Sequence, residues 1–265
     1  MFEKTRDAIP AYLLSAKESR PKVSILSVSL FLILWESLPR WGVIDVMYVS
    51  QPSRIAAAAM ELISKGKFLS DVQVSSIEFF SGFALALAVG IFLGLMIGVS
   101  KNLRYLLDPP IMALWSTPRL ALLPILVVWV GIGIESKILV VFLGAVIPII
   151  VNTVVGIREV DPSMVQAARS FCAKRRDIFI NILVPGSLPA MMAGIRLGIG
   201  RGIMGMVVGE MYVSTKGIGH QIMFYGEGFH LDHLLVYISL VSIFGFTATT
   251  LVRQIESRLR SWRET

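Results

Sequence analysis

Four ionisable residues lie inside strongly apolar stretches of the sequence: Arg119, Arg196, Arg201 and Glu210. In a membrane-spanning stretch a charge is costly, so it usually faces another helix or a water-filled cavity. Two roles are open to such residues. They can form ion pairs that hold helices together, or they can line the pathway of a polar solute. In a solute pathway, guanidinium groups would favour an anion.

Other residue combinations that could do chemistry are missing from the sequence. No Gly-x-x-x-x-Gly-Lys-Ser/Thr occurs, so we do not expect the chain to bind ATP and Mg²⁺ through a P-loop. His220, His230 and His233 do not have His-Glu-x-x-His spacing, and Cys172 is far from them in the chain. A membrane-embedded enzyme would need a nucleophile, a metal or an acid–base cluster. We therefore expect no catalytic residue, no metal site and no cofactor in this chain.

The composition is that of a protein that crosses a membrane several times. Of the 265 residues, 55% are hydrophobic and only 16% are charged, and the mean hydropathy is +0.72. A soluble domain would carry roughly a quarter charged residues. The net charge of +7 alone does not indicate nucleic acid, since Lys and Arg also collect in cytoplasmic loops. We expect no nucleic-acid partner.

Six apolar runs approach or exceed the roughly 20 residues that a bilayer-spanning helix needs. The predicted spans are 23–38, 74–99, 111–132, 138–157, 186–211 and 234–252, and the third is interrupted by Pro118 and Pro124. A separate amphipathic helix, capped by Ser53 and too short to span, is expected from Ser53 to Ser64. This divides the chain into a leader (1–22), a first span with the amphipathic helix (23–72), a core of five spans (73–252) and a basic tail (253–265).

The positive charges give the orientation of these spans. With the N-terminus inside, sixteen Lys and Arg residues fall in cytoplasmic segments and six fall on the opposite side. This bias predicts six spans with both termini in the cytoplasm.

Two of the spans carry small residues about every four positions. The stripes are Gly82, Ala86, Gly90, Gly94 and Gly98 in the second span, and Gly194, Gly198, Gly202, Gly205 and Gly209 in the fifth. Small residues let another helix approach closely within lipid. We expect both stripes to pack against neighbouring helices or against each other.

The segment from Glu159 to Pro185 is the longest polar-rich stretch between two apolar runs. It opens with Asp161-Pro162, which predicts a helix start, because Asp caps free N–H groups and Pro fits the first turn. The charge bias places this segment in the cytoplasm. The segment continues Gln-Ala-Ala, three residues, Cys, nine residues, Ile-Leu-Val-Pro.

This order resembles the EAA loop of ABC importer permeases, which reads Glu-Ala-Ala, three residues, Gly, nine residues, Ile-x-Leu-Pro. In this chain Gln166, Cys172 and Val184 replace the Glu, Gly and Leu. In the family the loop is a coupling helix that sits in a groove of the ATPase subunit. The resemblance implies that the residues coupling this chain to an ATPase are Gln166, Ala167, Ala168, Arg169, Ser170, Phe171, Cys172, Ile182 and Pro185.

Further motifs extend the resemblance from about Pro52 to the C-terminus. They are Gly131-Ile132-Gly133 before Lys137, Pro148-Ile149 with Asn152-Thr153 and Gly156, Gly194-Ile195-Arg196, Glu210-Met211, Lys216-Gly217-Ile218-Gly219, and Trp262. Together they resemble the permease group for nitrate, sulfonates, taurine, bicarbonate and related small solutes.

The resemblance implies an all-α membrane protein of about six transmembrane helices with the type I ABC importer permease fold. It implies a permease subunit, in a bacterial-type inner membrane, of an ATP-driven importer for a small solute, which the arginines indicate is anionic. The implied partners are a second permease copy, two ABC ATPases that carry ATP and Mg²⁺, an extracytoplasmic solute-binding protein and the lipid bilayer. The alternative is a stand-alone secondary transporter or channel, which would need an ion-coupling group at mid-depth.

Overall fold

The computed structural model of the protein describes residues 11–261, without the side chains of residues 11–22, 24, 119, 120 and 259–261. This part of the chain is α-helical and contains no β-strand. The helices are α1 (Ala11–Arg40), α2 (Val46–Val49), α3 (Pro52–Ser64), α4 (Lys67–Val99), α5 (Lys101–Ser116), α6 (Leu123–Val130), α7 (Ile134–Arg158), α8 (Pro162–Ser170), α9 (Arg175–Ile178), α10 (Val184–Val213), α11 (Ile218–Glu227) and α12 (Leu231–Ser261). A 3₁₀ turn (Arg119–Leu122) separates α5 from α6, and a π-helical segment (Phe179–Leu183) joins α9 to α10.

Helix α7 lies at the centre of the fold. Both α4 and α10 pack along it more extensively than any other pair of helices pack in the described chain. Most residues of α7 between Val140 and Ile157 are buried, on several faces of the helix. The main core consists of apolar side chains from these three helices, and its most deeply buried members are Phe79, Ala86, Ile97, Val141, Ala145 and Ile149.

The glycine stripes of α4 and α10 both face α7. A Cβ atom placed on Gly94 would lie 2.5 Å from Cβ of Thr153, and one on Gly194 would lie 2.7 Å from Cβ of Asn152. Since real Cβ atoms do not approach so closely, only glycine permits these helix separations. The predicted close packing is confirmed, and the shared partner of both stripes is α7.

Four helical stretches are long and apolar enough to cross a membrane: Lys67–Val99, Ile134–Arg158, Arg175–Val213 and Leu231–Arg258. They contain the second, fourth, fifth and sixth predicted spans, and the first predicted span lies within α1. The third predicted span, 111–132, is not one continuous helix, and it is interrupted where the sequence has Pro118. Helix α5 ends at Ser116, and Thr117 has an extended backbone (ψ 130°), because a residue before proline, here Pro118, disfavours the helical region.

Helix α3 confirms the short amphipathic helix, but its predicted cap is wrong. The N-cap position is Gln51, whose side chain makes no capping bond, and Ser53 lies inside the helix. The carboxylate of Glu36 in α1 accepts hydrogen bonds from the amide of Ser53 (3.0 Å) and from its hydroxyl (2.7 Å). A neighbouring helix therefore supplies the acceptor for the first turn of α3.

Candidate functional site

Helix α8 is the short helix predicted between the fourth and fifth apolar runs. Asp161 is its N-cap and accepts a hydrogen bond of 2.8 Å from the amide of Ser163, while Pro162 occupies the first turn. This hydrogen bond lowers the pKa of the Asp161 carboxyl below its ordinary value, because it favours the charged form. The Asp-Pro pair therefore starts the helix by the mechanism that the sequence predicted.

The C-terminal end of α8 is a turn built around Cys172. The amide of Cys172 donates to the carbonyl of Arg169 (2.9 Å), and the amide of Ala173 donates to that of Ala168 (3.0 Å). This pair of bonds is the Schellman motif, which requires a left-handed residue, and Cys172 has φ +56°. A side chain with a Cβ costs roughly 1–2 kcal/mol in that conformation, whereas glycine adopts it freely. The turn thus has the geometry that suits the family's glycine, although cysteine occupies the position.

One face of α8 ends in exposed apolar side chains. Phe171 is 87% exposed and Met164 is 50% exposed. Ala167 is exposed and Ala168 is half-buried between them. We call these four residues the coupling surface. The other predicted coupling residues on this helix and its cap, which are Gln166, Arg169, Ser170 and Cys172, are also exposed. Small alanines beside a protruding aromatic ring are suited to a helix that docks in a groove.

Two predicted coupling residues lie beyond α8. Ile182 is half-buried in the π-helical segment, and Pro185 is exposed in the first turn of α10. The link to α8 is tightly packed: a Cβ on Gly186 would lie 2.7 Å from Cγ2 of the buried Val160. Helix α8 lies in the chain between α7 and the continuous helix Arg175–Val213, which pack against each other in the core.

The four candidate pathway residues do not meet at one place. Arg196 forms an ion pair with Glu256 of α12 (3.2 Å), which joins α10 to α12. Arg201 lines a cavity, and Glu210 is buried near the other end of α10. Arg119 begins the 3₁₀ turn, and its side chain lies outside the described residues, as does Trp262.

Glu210 belongs to a buried group of side chains that we call the polar junction: Asp71, Ser75, Glu78, Lys137 and Glu210. Lys137 forms an ion pair with Glu78, and the hydroxyl of Ser75 donates to Glu210 (2.6 Å). The junction therefore ties α4, α7 and α10 together at one end of the core.

The polar junction also holds the N-terminal end of α11. The amide of Gly217 donates to Asp71 (3.0 Å), that of Ile218 to Ser75 (2.8 Å) and that of Gly219 to Glu210 (2.6 Å). These are the amides that a helix start leaves without partners, and the carboxylates lie where the helix dipole favours negative charge. Side chains from two other helices therefore cap α11.

Sequence reasoning missed most of the polar junction. Asp71, Ser75 and Glu78 lie before or at the start of the second apolar run. Lys137 lies just outside the predicted span 138–157, where a positive charge indicates a loop. A usable signal was present: positions 71, 75 and 78 have the spacing of one helix face, which predicts a polar stripe on an extended α4. Which residues face that stripe could not be read from spacing.

The cavity beside Arg201 has a volume of about 280 Å³. It lies between the break after α5 and the adjoining faces of α7 and α10. Its lining includes Trp115, Thr117, Pro118, Val140, Arg201 and Met204. We call it the Arg201 cavity.

Two of the three histidines lie together, in contacts that are not those of a metal site. The ring of His233 stacks on Tyr225 with centroids 5.0 Å apart, and its Nε2 lies 3.4 Å from Glu61. His230 packs edge-on against Tyr225. Among the side chains that the structure describes, no three of His, Cys, Asp or Glu come together in a metal-binding group.

Comparisons with known proteins agree with this fold. Residues 86–261 match the family model of binding-protein-dependent transport system inner membrane components. The chain is 30% identical to the aliphatic sulfonates transport permease protein SsuC of Bacillus subtilis, over 90% of this chain and 87% of that protein. It is 27% identical to the taurine transport system permease protein TauC of Escherichia coli, over 91% of this chain and 89% of that protein.

A solved structure shows the same fold. The chain is similar to a chain of the MetNI methionine ABC transporter, with a TM-score of 0.65 and 19% identity, over 72% of this chain and 95% of that one. An identity this low supports the fold alone. The similarity confirms the predicted all-α ABC importer permease fold.

Proposed function

The chain belongs to the family of binding-protein-dependent transport system inner membrane components, and from this membership we infer the assembly in which it acts. It is a permease subunit of an ABC importer. We propose that two copies form the transmembrane pathway, that two ABC ATPases dock beneath them, and that a solute-binding protein delivers the solute. ATP and Mg²⁺ then bind to the ATPases, and this chain supplies no catalytic residue and holds no cofactor.

The proposed location is a bacterial-type inner membrane with both chain termini in the cytoplasm. Supporting this orientation, sixteen Lys and Arg residues fall on the cytoplasmic side of the predicted spans and six on the other. The same orientation puts α8 in the cytoplasm, within reach of an ATPase. It puts α3 and α11 on the outer face, where a solute-binding protein would dock.

The observation that carries the proposal is the coupling surface. A capped helix of nine residues presents Phe171 almost fully to its surroundings, beside Ala167 and Ala168. An aromatic ring exposed to this degree gains free energy when a groove removes it from water. Small alanines let the helix backbone approach the groove wall. We propose that this surface binds the ATPase.

Movement of α8 would then move the pathway. When the two ATPases close around ATP, the two α8 helices would shift with them, and each shift would act on α7 and α10. A change between inward-open and outward-open states requires that each state have its own set of contacts. The close glycine contacts with α7 favour movement of α4, α7 and α10 as a unit, because they leave little room for sliding.

The solute that we propose is a small anion. The predicted spans contain three arginines and three glutamates, Glu36, Glu78 and Glu210. Arg196 is paired with Glu256 and holds helices together, whereas Arg201 has no ion pair among the described side chains. A guanidinium group such as that of Arg201 matches a sulfonate, carboxylate or nitrate. The relatives SsuC and TauC are named for aliphatic sulfonates and taurine, which contain a sulfonate group.

The proposed function is tested by purifying the tagged chain from its native membranes in mild detergent. We expect a polypeptide with a P-loop to copurify and to hydrolyse ATP. Replacing Ala168 with Asp should place an unpaired charge in the docking groove and abolish copurification or uncouple hydrolysis from uptake. The matched control is Ala57→Asp, the same change at an exposed position of α3.

The control should copurify with the ATPase like the parent, because α3 lies on the opposite side of the membrane from α8. Normal assembly and uptake in the Ala168→Asp variant would show that α8 is not part of the interface with the ATPase. A chain that purifies without an ATPase and transports solute alone in proteoliposomes would be the stand-alone transporter, and the proposal would be wrong.

A further inference from the structure

The Arg201 cavity is an open cleft, and Trp115, Arg201 and Met204 on its walls are exposed in the single chain. Arg201 is twelve residues before Val213, the last residue of α10, so at about 1.5 Å per residue it lies about 18 Å from that end. The hydrocarbon core of a bilayer is about 30 Å thick. Arg201 therefore lies close to mid-depth, where a charge requires an ionic partner or a wet cavity.

Arg201 differs from the other described cations of the core. Arg196 is paired with Glu256, and Lys137 is paired with Glu78. Among the side chains that the structure describes, none forms an ion pair with Arg201, which is exposed. Its guanidinium group therefore has free donors in a cavity that contains no described acidic side chain.

A broken helix forms one wall of the cavity. The extended backbone at Thr117 interrupts the helical path before Pro118. Non-helical backbone at membrane depth is tolerated where it lines a cavity, and discontinuous helices line the solute sites of many transporters. The hydroxyl of Thr117 donates to the carbonyl of Ala113 (2.7 Å), so it does not donate into the cavity.

The chemistry of the lining selects the ligand. The planar fork of Arg201 can donate two parallel hydrogen bonds to an oxyanion. Trp115 and Met204 add apolar surface for a short hydrocarbon chain. A volume of about 280 Å³ is below the roughly 300–1,000 Å³ of sites for drug-sized ligands. The cavity therefore fits an oxyanion with a short alkyl group.

We propose that the Arg201 cavity is a solute subsite within the permease, where Arg201 binds the sulfonate or carboxylate group of the solute during its passage. This proposal rests on the proposed function as an importer of a small anion. It assigns part of the selection of the solute to the permease itself, in addition to any selection by a binding protein.

The test uses the purified complex of the permease with its ATPase in lipid nanodiscs, without a binding protein. Tryptophan fluorescence is titrated with ethanesulfonate, acetate and nitrate at constant ionic strength, and Trp115→Phe identifies the signal of Trp115. Ethanesulfonamide is the control ligand, since it has nearly the same shape without the charge. The variants are Arg201→Gln and Arg201→Lys, with Arg196→Gln as the matched control outside the cavity.

We expect saturable quenching of Trp115 by at least one anion and none by ethanesulfonamide. Arg201→Gln should weaken the affinity at least tenfold. Arg201→Lys should weaken it less, because it keeps the charge but loses the fork. Arg196→Gln should bind within twofold of the parent. The ligand comparison needs no variant, so it decides the question even if Arg201→Gln does not assemble.

Three results would overturn the subsite. They are the absence of saturable binding by all three anions in the parent complex, equal binding of ethanesulfonamide, or equal losses in Arg201→Gln and Arg196→Gln. Each leaves the ATPase bound, so the importer function would stand. A parent chain that purifies without an ATPase would instead refute the proposed function.

Discussion

Replacing Lys137 with methionine should leave the carboxylate of Glu78 buried without its cation. The Glu78 side chain is fully buried and that of Lys137 is 8% exposed, so little solvent can compensate for the lost charge. Methionine has a similar length, so the change removes the charge with little change in packing. It also removes the hydrogen bond of 3.0 Å from Lys137 to Ser214.

The expected cost follows from these two losses. Removing one partner of a buried ion pair costs about 3–5 kcal/mol, and a hydrogen bond contributes about 1 kcal/mol. We therefore expect Lys137→Met to lower the free energy of unfolding by about 4–6 kcal/mol. The Glu78→Gln variant should also be destabilised, because it leaves the buried lysine without its carboxylate. The double variant removes both charges and should recover at least half of the summed losses.

The measurement is SDS-induced unfolding in mixed micelles, followed by tryptophan fluorescence. Lys216→Met serves as the control, because Lys216 is exposed on the neighbouring loop. The control should unfold within about 0.5 kcal/mol of the parent, as surface substitutions usually do. A loss below 1 kcal/mol in Lys137→Met, or simple additivity in the double variant, would show that this ion pair does not stabilise the fold.

Three further outcomes follow from the structure. Gly94→Leu should sharply reduce the folded yield in detergent, because a Cβ at position 94 would lie 2.5 Å from Thr153. Gly200→Leu is the control and should be tolerated, because no atom lies within 4 Å of a Cβ at that position. Equal yields of the two variants would show that close helix packing at the stripe is unimportant. Cys172→Gly should stabilise the end of α8 by about 1 kcal/mol, because glycine adopts the left-handed backbone conformation without strain. The stabilisation should appear as slower hydrogen exchange at that end, and Cys172→Ala should not produce it. Equal exchange in both variants would show that the left-handed conformation at Cys172 is not strained. Because the folded-state pKa of Asp161 is lowered, its cap should stabilise α8 fully above the ordinary pKa of aspartate, and this stabilisation should be lost as the pH falls through the lowered folded-state value. Asp161→Ala should remove this pH dependence from the hydrogen exchange of α8. An unchanged pH profile in the variant would show that another group causes it.

Local patterns predicted α8 well. Its start depends on Asp161 and Pro162, which act within three residues, and its end depends on a turn around Cys172 at the family's glycine position. The glycine stripes were equally readable, because one helix's surface determines how closely a neighbour can approach. Their common partner was not readable, since nothing in the spacing of Gly94 or Gly194 identifies α7.

Most of the features that the sequence did not predict depend on contacts between residues far apart in the chain. The carboxylate of Glu210 accepts hydrogen bonds from the hydroxyl of Ser75 and from the amide of Gly219, and neither residue lies on its own helix. Lys137 resembled an ordinary loop charge until the fold placed it beside Glu78. The break at Thr117 lies where Pro118 interrupts the third apolar run, but the sequence does not show that this break lines a cavity beside Arg201.

The docking of α8 on an ATPase is tested most directly through Cys172, the only cysteine of the chain and an exposed one. A photoactivatable maleimide on this residue, introduced in native membranes and then irradiated, should cross-link the chain to the P-loop polypeptide. A Cys172→Ser chain with Ala57→Cys, labelled on α3, should give no such product. Cross-linking of the ATPase to α3 but not to Cys172, or labelling of Cys172 only from the outside of sealed cells, would contradict the assignment of α8 as the coupling helix.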